Sequence, residues 1–155
     1  SVPKWLKRGK EEPEQEIKYK GSSMTVKKSR KHLDVLIDIM NEEKPHLDPD
    51  ITLQKLAKRM GITKEDLSRV INEQLKKNFK NFINERRIEE AKKKIVDPKE
   101  QDFVLLKIAF DAGFSSKSAF NASFKKFTGM SPSQYRKQYE EKQAAKKAER
   151  SGKTG

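Results

Sequence analysis

The sequence predicts an all-α fold of about seven helices, arranged as two helix-turn-helix lobes joined by a long linker helix. Three observations predict it. Apolar residues recur three and four apart between proline and glycine stops. No segment alternates apolar and polar side chains as a half-buried strand would. Finally, two stretches of the chain repeat one another in their apolar, cap and turn positions.

Taken in order, residues 1–28 are charged, aperiodic and interrupted by Pro3, Gly9, Pro13 and Gly21. They read as a flexible basic arm. Leu33, Leu36, Ile37 and Met40 then share one helical face, which Pro45 and Pro49 terminate. Leu53, Leu56, Ala57 and Met60 form a short second helix ended by Gly61. Thr63 caps a third, with Asp66 three residues on, and buries Leu67, Val70 and Ile71.

Asn78 opens a longer fourth helix through Phe79, Phe82, Ile83, Ile88, Ala91 and Ile95, which Pro98 ends. At 1.5 Å per residue it is about 25 Å long. Leu105, Ile108 and Ala109 make a fifth helix, ended by Gly113, and Phe120, Phe124 and Phe127 a sixth, ended by Gly129. Ser131, Pro132 and Gln134 form a strong start signal for a seventh, which carries Tyr135 and Tyr139. The aromatic residues Phe79, Phe82, Phe120, Phe124 and Phe127 sit at helical spacing and read as core rather than as a stacking platform. The expected domain therefore spans 29–140, with lobe one at 29–77, the linker at 78–97 and lobe two at 98–140. A charged tail, 141–155, can extend the last helix but has no apolar stripe to bury.

The repeat relates Leu56-Ala57 and Gly61-Ile62 to Ile108-Ala109 and Gly113-Phe114, fifty-two residues on (57 to 109). Beyond the turn the offset becomes fifty-three, pairing Leu67 with Phe120, Ile71 with Phe124, Asn78 with Ser131 and Phe82 with Tyr135. The second copy thus has one extra residue in its turn. Each copy meets the demands of a helix-turn-helix. A small Ala lets two helices meet, a Gly supplies a positive φ, and apolar residues lock the second helix while its other face stays polar.

Composition narrows the function. Charged residues make up 38% and apolar residues 33%, and 36 Lys+Arg against 23 Asp+Glu leave a net charge of +13. Such a surplus draws polyanions, with nucleic acid and anionic membrane both candidates. There is no cysteine, so thiolate metal sites and cysteine nucleophiles are absent. His32 and His46 are the two histidines, on different elements and without a carboxylate at metal-ligand spacing. No nucleophile elbow or phosphate loop occurs. No catalytic residue, cofactor or metal is expected.

From about His32 to Tyr139 the chain resembles the DNA-binding domain of the AraC/XylS family of bacterial transcription regulators. The resemblance rests on Ile51-Thr52-Leu53, Gly61-Ile62-Thr63, Leu67-Ser68-Arg69 and Arg87-Ile88 with Ala91. It rests most on the run from Ile108 to Phe114, on Phe120, and on Phe124 to Pro132 with Tyr135-Arg136. The resemblance implies seven helices in two lobes, with two recognition helices entering successive major grooves of double-stranded DNA. RNA polymerase is then a second partner, and a sensor domain in a longer parent chain a third. Whether transcription is raised or lowered stays open.

On the first recognition helix, Lys64, Glu65, Ser68, Arg69 and Asn72 face away from the apolar side. By resemblance Glu65, Ser68 and Arg69 match base-reading positions, and a guanidinium such as that of Arg69 can donate two bonds to guanine. On the second, the matching positions are Lys117, Ser118, Asn121 and Ala122; Asn121 can pair with adenine. Ala122 departs from the family, where Arg is frequent, and this weakens the second unit as a reader. Backbone contacts are expected from Thr52, Asn78 and Ser131 at helix starts, and from Asn72, Lys77, Lys125 and Lys126. Lys76 matches Gly129, so a lysine stands in a left-handed turn.

The rival reading is a basic helical protein- or membrane-interaction module. Pro3-Lys4-Trp5-Leu6-Lys7-Arg8 puts an aromatic beside cations, as at the cytoplasmic flank of a membrane segment. The expected location is the cytoplasm, with a tether to the inner membrane through a longer parent as the variant that this motif raises.

Overall fold

Helix start signals and apolar periodicity set nearly every element boundary in the chain. The computed structural model describes residues 24–99 and 104–152. It contains α1 (Val26–Glu42), α2 (Leu53–Met60), α3 (Lys64–Gln74), α4 (Phe79–Ile95), α5 (Leu105–Asp111), α6 (Lys117–Thr128) and α7 (Pro132–Gly152), with a 3-10 turn at Pro45–Leu47. Every regular element of the described residues is helical. The described residues divide into two compact units: one takes in 24–45 with Asp50–Phe79, the other His46–Pro49 with 80–99 and 104–152. The Pro3–Arg8 motif lies outside the described residues.

In the first unit α1 starts earlier than its apolar stripe suggests. Thr25 is its cap, its hydroxyl accepting from the Lys28 N–H at 3.0 Å. Val26–Lys28, read from sequence as the end of the arm, form its first turn. The buried face is also rotated: Leu36, Ile39 and Met40 are buried, while Leu33 and Ile37 are only half-buried. The cause is a polar contact that periodicity does not register. Ser29 is fully buried and its hydroxyl accepts from Gln74 Nε2 of α3 at 2.5 Å, which fixes the side that α1 turns to α3. Leu56, Ala57 and Met60 of α2 and Leu67, Val70 and Ile71 of α3 complete the buried apolar set.

The second unit is built on Ile88, Ala91 and Ile95 of α4, Ile108 and Ala109 of α5, Ala112 and Phe114 of the turn, and Phe120 and Phe124 of α6. An aromatic chain runs through it. Ring centroids lie 5.4 Å apart for Phe114–Phe120, 5.7 Å for Phe120–Phe124 and 5.5 Å for Phe124–Tyr135, in edge-on or tilted contacts. Each buried ring stabilises by about 2–3 kcal/mol through area alone. Of the aromatics expected in the core, Phe82, Phe120 and Phe124 are buried, whereas Phe79 and Phe127 are half-buried. Phe79 opens its helix and Phe127 lies in the last turn of its own, where neighbours cover one side only.

Arg87 holds this unit's turn. Its Nε donates to the His46 carbonyl at 2.7 Å and its Nη2 to the Asp48 carbonyl at 3.0 Å. Its guanidinium also lies 5.6 Å from the Phe114 ring centroid. Burial lowers its pKa and Asp48 opposes the shift. Against this clasp sits Gly113, at φ 99°. A Cβ there would collide with the His46 carbonyl oxygen and stand 2.9 Å from Arg87 Nε.

Candidate nucleic-acid interface

Each unit presents one helix with a split surface. In the first, Gly61 ends α2 in the left-handed region at φ 71°, and the Ile62 N–H bonds back to the Ala57 carbonyl at 3.0 Å. Thr63 then caps α3, accepting from the Asp66 N–H at 3.1 Å. With Leu67, Val70 and Ile71 turned inward, Lys64, Glu65 and Asn72 are exposed and Ser68 and Arg69 half-exposed on the other side. Asn72 Nδ2 donates to Ser68 Oγ at 3.3 Å, one turn apart, so these two polar groups are presented together.

The second unit repeats the arrangement with one residue more. Gly113-Phe114-Ser115 replaces Gly61-Ile62, and Ser116 caps α6 by accepting from the Ala119 N–H at 3.1 Å. The insertion inferred from the change of offset thus falls in the turn. Ser116 was missed as a cap, although a Ser ahead of the Phe120 stripe is a visible start signal. Lys117, Ser118, Asn121, Ala122, Lys125 and Lys126 are all exposed on α6. At the common offset, Lys64 matches Lys117, Glu65 matches Ser118, Ser68 matches Asn121, Arg69 matches Ala122 and Asn72 matches Lys125. The two faces share a register but not a chemistry, since α6 is more cationic and has Ala122 where α3 has Arg69.

The remaining candidates lie at helix ends. Thr52 caps α2, accepting from the Lys55 N–H at 3.1 Å. Ser131 and Gln134 close a full capping box on α7: Gln134 N–H donates to Ser131 Oγ at 3.2 Å and Ser131 N–H to Gln134 Oε1 at 2.9 Å. These hydroxyl oxygens serve their own helices, yet each hydroxyl keeps its proton to donate outward. Asn78, just before α4, is exposed, and Lys77 is half-buried. Lys126 is held in place, donating to Asn81 Oδ1 at 2.8 Å with its ammonium 5.7 Å from the Phe127 ring centroid. Asn81 escaped sequence reasoning because its partner is forty-five residues away. Lys76 has φ 56°, the left-handed conformation that Gly129 adopts at the matching place.

A family model described as a helix-turn-helix domain, of AraC type, matches residues 56–138. The chain belongs to this family of transcription regulators. The AraC-type domain is 37% identical over 91 residues to an uncharacterized HTH-type transcriptional regulator of Staphylococcus aureus (strain MSSA476), covering 59% of this chain and 12% of that protein. It therefore spans only a small part of the length of the curated relatives it matches. Among solved structures it resembles the C-terminal domain of AraT, a response regulator from Geobacillus stearothermophilus, at a TM-score of 0.57 and 25% identity, covering 71% of this chain and 84% of that one. It shares the fold of the DNA-binding domain of AdpA, a global transcriptional factor solved in complex with a target DNA, at a TM-score of 0.60 and 19% identity, covering 71% and 94%. Family and fold are those of transcription regulators rather than enzymes. None of the described helices is long and apolar enough to cross a membrane.

Proposed function

We propose that the chain reads a specific sequence in double-stranded DNA, with α3 and α6 each entering a major groove, and so regulates transcription. The observation that carries this reading is the matched pair of exposed polar faces, fifty-three residues apart, on a family domain within a chain of net charge +13. Lys64, Glu65, Ser68 and Arg69 read bases on the first unit, with Arg69 donating to guanine, and Lys117, Ser118, Asn121 and Ala122 face bases on the second. Thr52, Asn72, Lys77, Asn78, Lys125, Lys126 and Ser131 neutralise or hydrogen-bond phosphates and set the register. That a domain of this fold, from AdpA, was solved in complex with a target DNA supports double-stranded DNA as the partner.

In this reading the first unit supplies most of the specificity. Ala122 offers at most a methyl contact to thymine, where the equivalent Arg69 offers two hydrogen bonds. RNA polymerase is the second partner, the cytoplasm the working compartment, and signal sensing belongs to another domain of a longer parent. The greater length of the relatives supports that last assignment.

Selection of bound duplexes from a random pool tests the reading. The expected result is an enriched motif with two half-sites about one turn apart, ~34 Å, the first better defined than the second. Uniform retention of all sequences would leave only a polyanion binder and overturn it.

A further inference from the structure

From Lys137 onward α7 leaves the body of the second unit. Pro132 is buried and Tyr135 and Arg136 are half-buried, but every described residue from Lys137 to Gly152 is exposed. Beyond Tyr139 the apolar side chains of this stretch are Ala144, Ala145 and Ala148. A short helix with no packed face is marginal in water by itself. Here the charge pattern makes it worse. Lys142, Lys146 and Arg150 lie four apart and share a face, a spacing at which like charges destabilise a helix. At 100° per residue, the arc from Lys142 through Lys146 and Arg150 to Lys147 holds no acid. Glu141 falls on the opposite side, and Glu140 and Glu149 at the arc's edges. Among the described residues the Lys142, Lys146 and Lys147 ammonium groups make no ion pair or hydrogen bond, whereas Arg136 is paired with Glu140 at 3.1 Å.

A row of cations about 6 Å apart along an exposed helix matches a linear polyanion. The face opposite offers Ala144, Ala148 and Glu141, without the bulky apolar residues that an interfacial membrane helix buries or the stripe that a partner helix needs. We propose that the distal half of α7 is an electrostatic arm that lies along the DNA phosphate backbone outside the base pairs read by α3 and α6. Phosphates neutralise the Lys142–Lys146–Arg150 row, relieve its self-repulsion and firm the helix. The arm adds affinity without adding sequence preference. This inference rests on the DNA-binding reading above.

The test compares the full chain with the triple variant Lys142→Gln, Lys146→Gln, Arg150→Gln, and with a charge-preserving Lys142→Arg, Lys146→Arg variant. The three sites are exposed and glutamine is a good helix former, so the fold of the second unit is not at stake. Binding to selected and to random duplex is followed over a salt series. The triple variant should flatten the log–log salt slope by about 2.7, three contacts at ~0.9 each, and weaken both duplexes alike. The charge-preserving variant should follow the parent. Trimming the duplex flanks should erase the difference between parent and triple variant. An unchanged slope, a difference that survives trimming, or a loss confined to phosphatidylserine vesicles would each overturn the arm. A parent chain that binds no duplex at all would instead remove the DNA-binding reading and the arm with it.

Discussion

Arg69 and Ala122 hold equivalent places on α3 and α6, and only the first can hydrogen-bond a base edge. Replacing Arg69 with Ala should weaken binding to the selected duplex by about 1–3 kcal/mol and relax preference at one base pair. Equal losses on selected and random duplex would reassign Arg69 to phosphate. A similar contrast divides two turn glycines. Both have positive φ, but a Cβ at Gly61 meets nothing within 4 Å, while one at Gly113 runs into the His46 carbonyl and Arg87. Gly61→Ala should therefore cost only the left-handed backbone penalty, about 1–2 kcal/mol. Gly113→Ala should cost about 3 kcal/mol or more, because overpacking adds to it. Urea unfolding of the two variants checks the order, and equal midpoints would remove the Arg87 clasp as its cause. From sequence both glycines look alike. Their difference depends on a carbonyl brought in from residue 46, which no local pattern encodes.

Helices show where sequence reasoning is strong and where it stops. Caps are local chemistry, so Thr63, Ser131 and Gln134 could be read directly, and the start and end of α4 follow from its apolar positions and Pro98. The face that α1 buries is not local: it is set by the Ser29–Gln74 hydrogen bond, and Ile39 replaces Ile37 in the buried set. The same α1–α3 contact makes a pH prediction. His32 on α1 has its pKa lowered from 6.5, first by burial and further by Lys28, with Asp66 of α3 opposing. A cation-forming group with a lowered folded pKa favours the native state while neutral. The stability it contributes is complete above pH 6.5 and is lost as pH falls below that value, because the unfolded chain takes up the proton more readily. On acidification from about pH 7.5 to 5 the parent chain should lose more of its urea midpoint than His32→Gln. Parallel losses would show that His32 titrates alike in both states.

Across the whole molecule, duplication explains both what the sequence reveals and what it conceals. The repeat exposed the two helix-turn-helix copies, because apolar and turn positions recur even where surface chemistry has diverged. Candidate base readers could then be named from register alone, while the Asn81 bond that holds Lys126 and the carbonyls that Arg87 clasps depend on tertiary partners and stayed hidden. If both units read DNA as proposed, affinity depends on the spacing of their half-sites. Inserting five base pairs between the half-sites turns one of them about half a helical turn round the duplex, so both helices can no longer reach their bases together. Binding should fall toward that of a single half-site, and ten inserted base pairs should restore the face though not the distance. In the proposed reading Ala122 makes the second unit the poorer reader, so scrambling its half-site should cost less than scrambling the first, while deleting that DNA altogether should cost much more. The order would reverse if the second unit read bases as strongly as the first. Affinity indifferent to the five-base-pair insertion would mean that one unit alone engages the duplex.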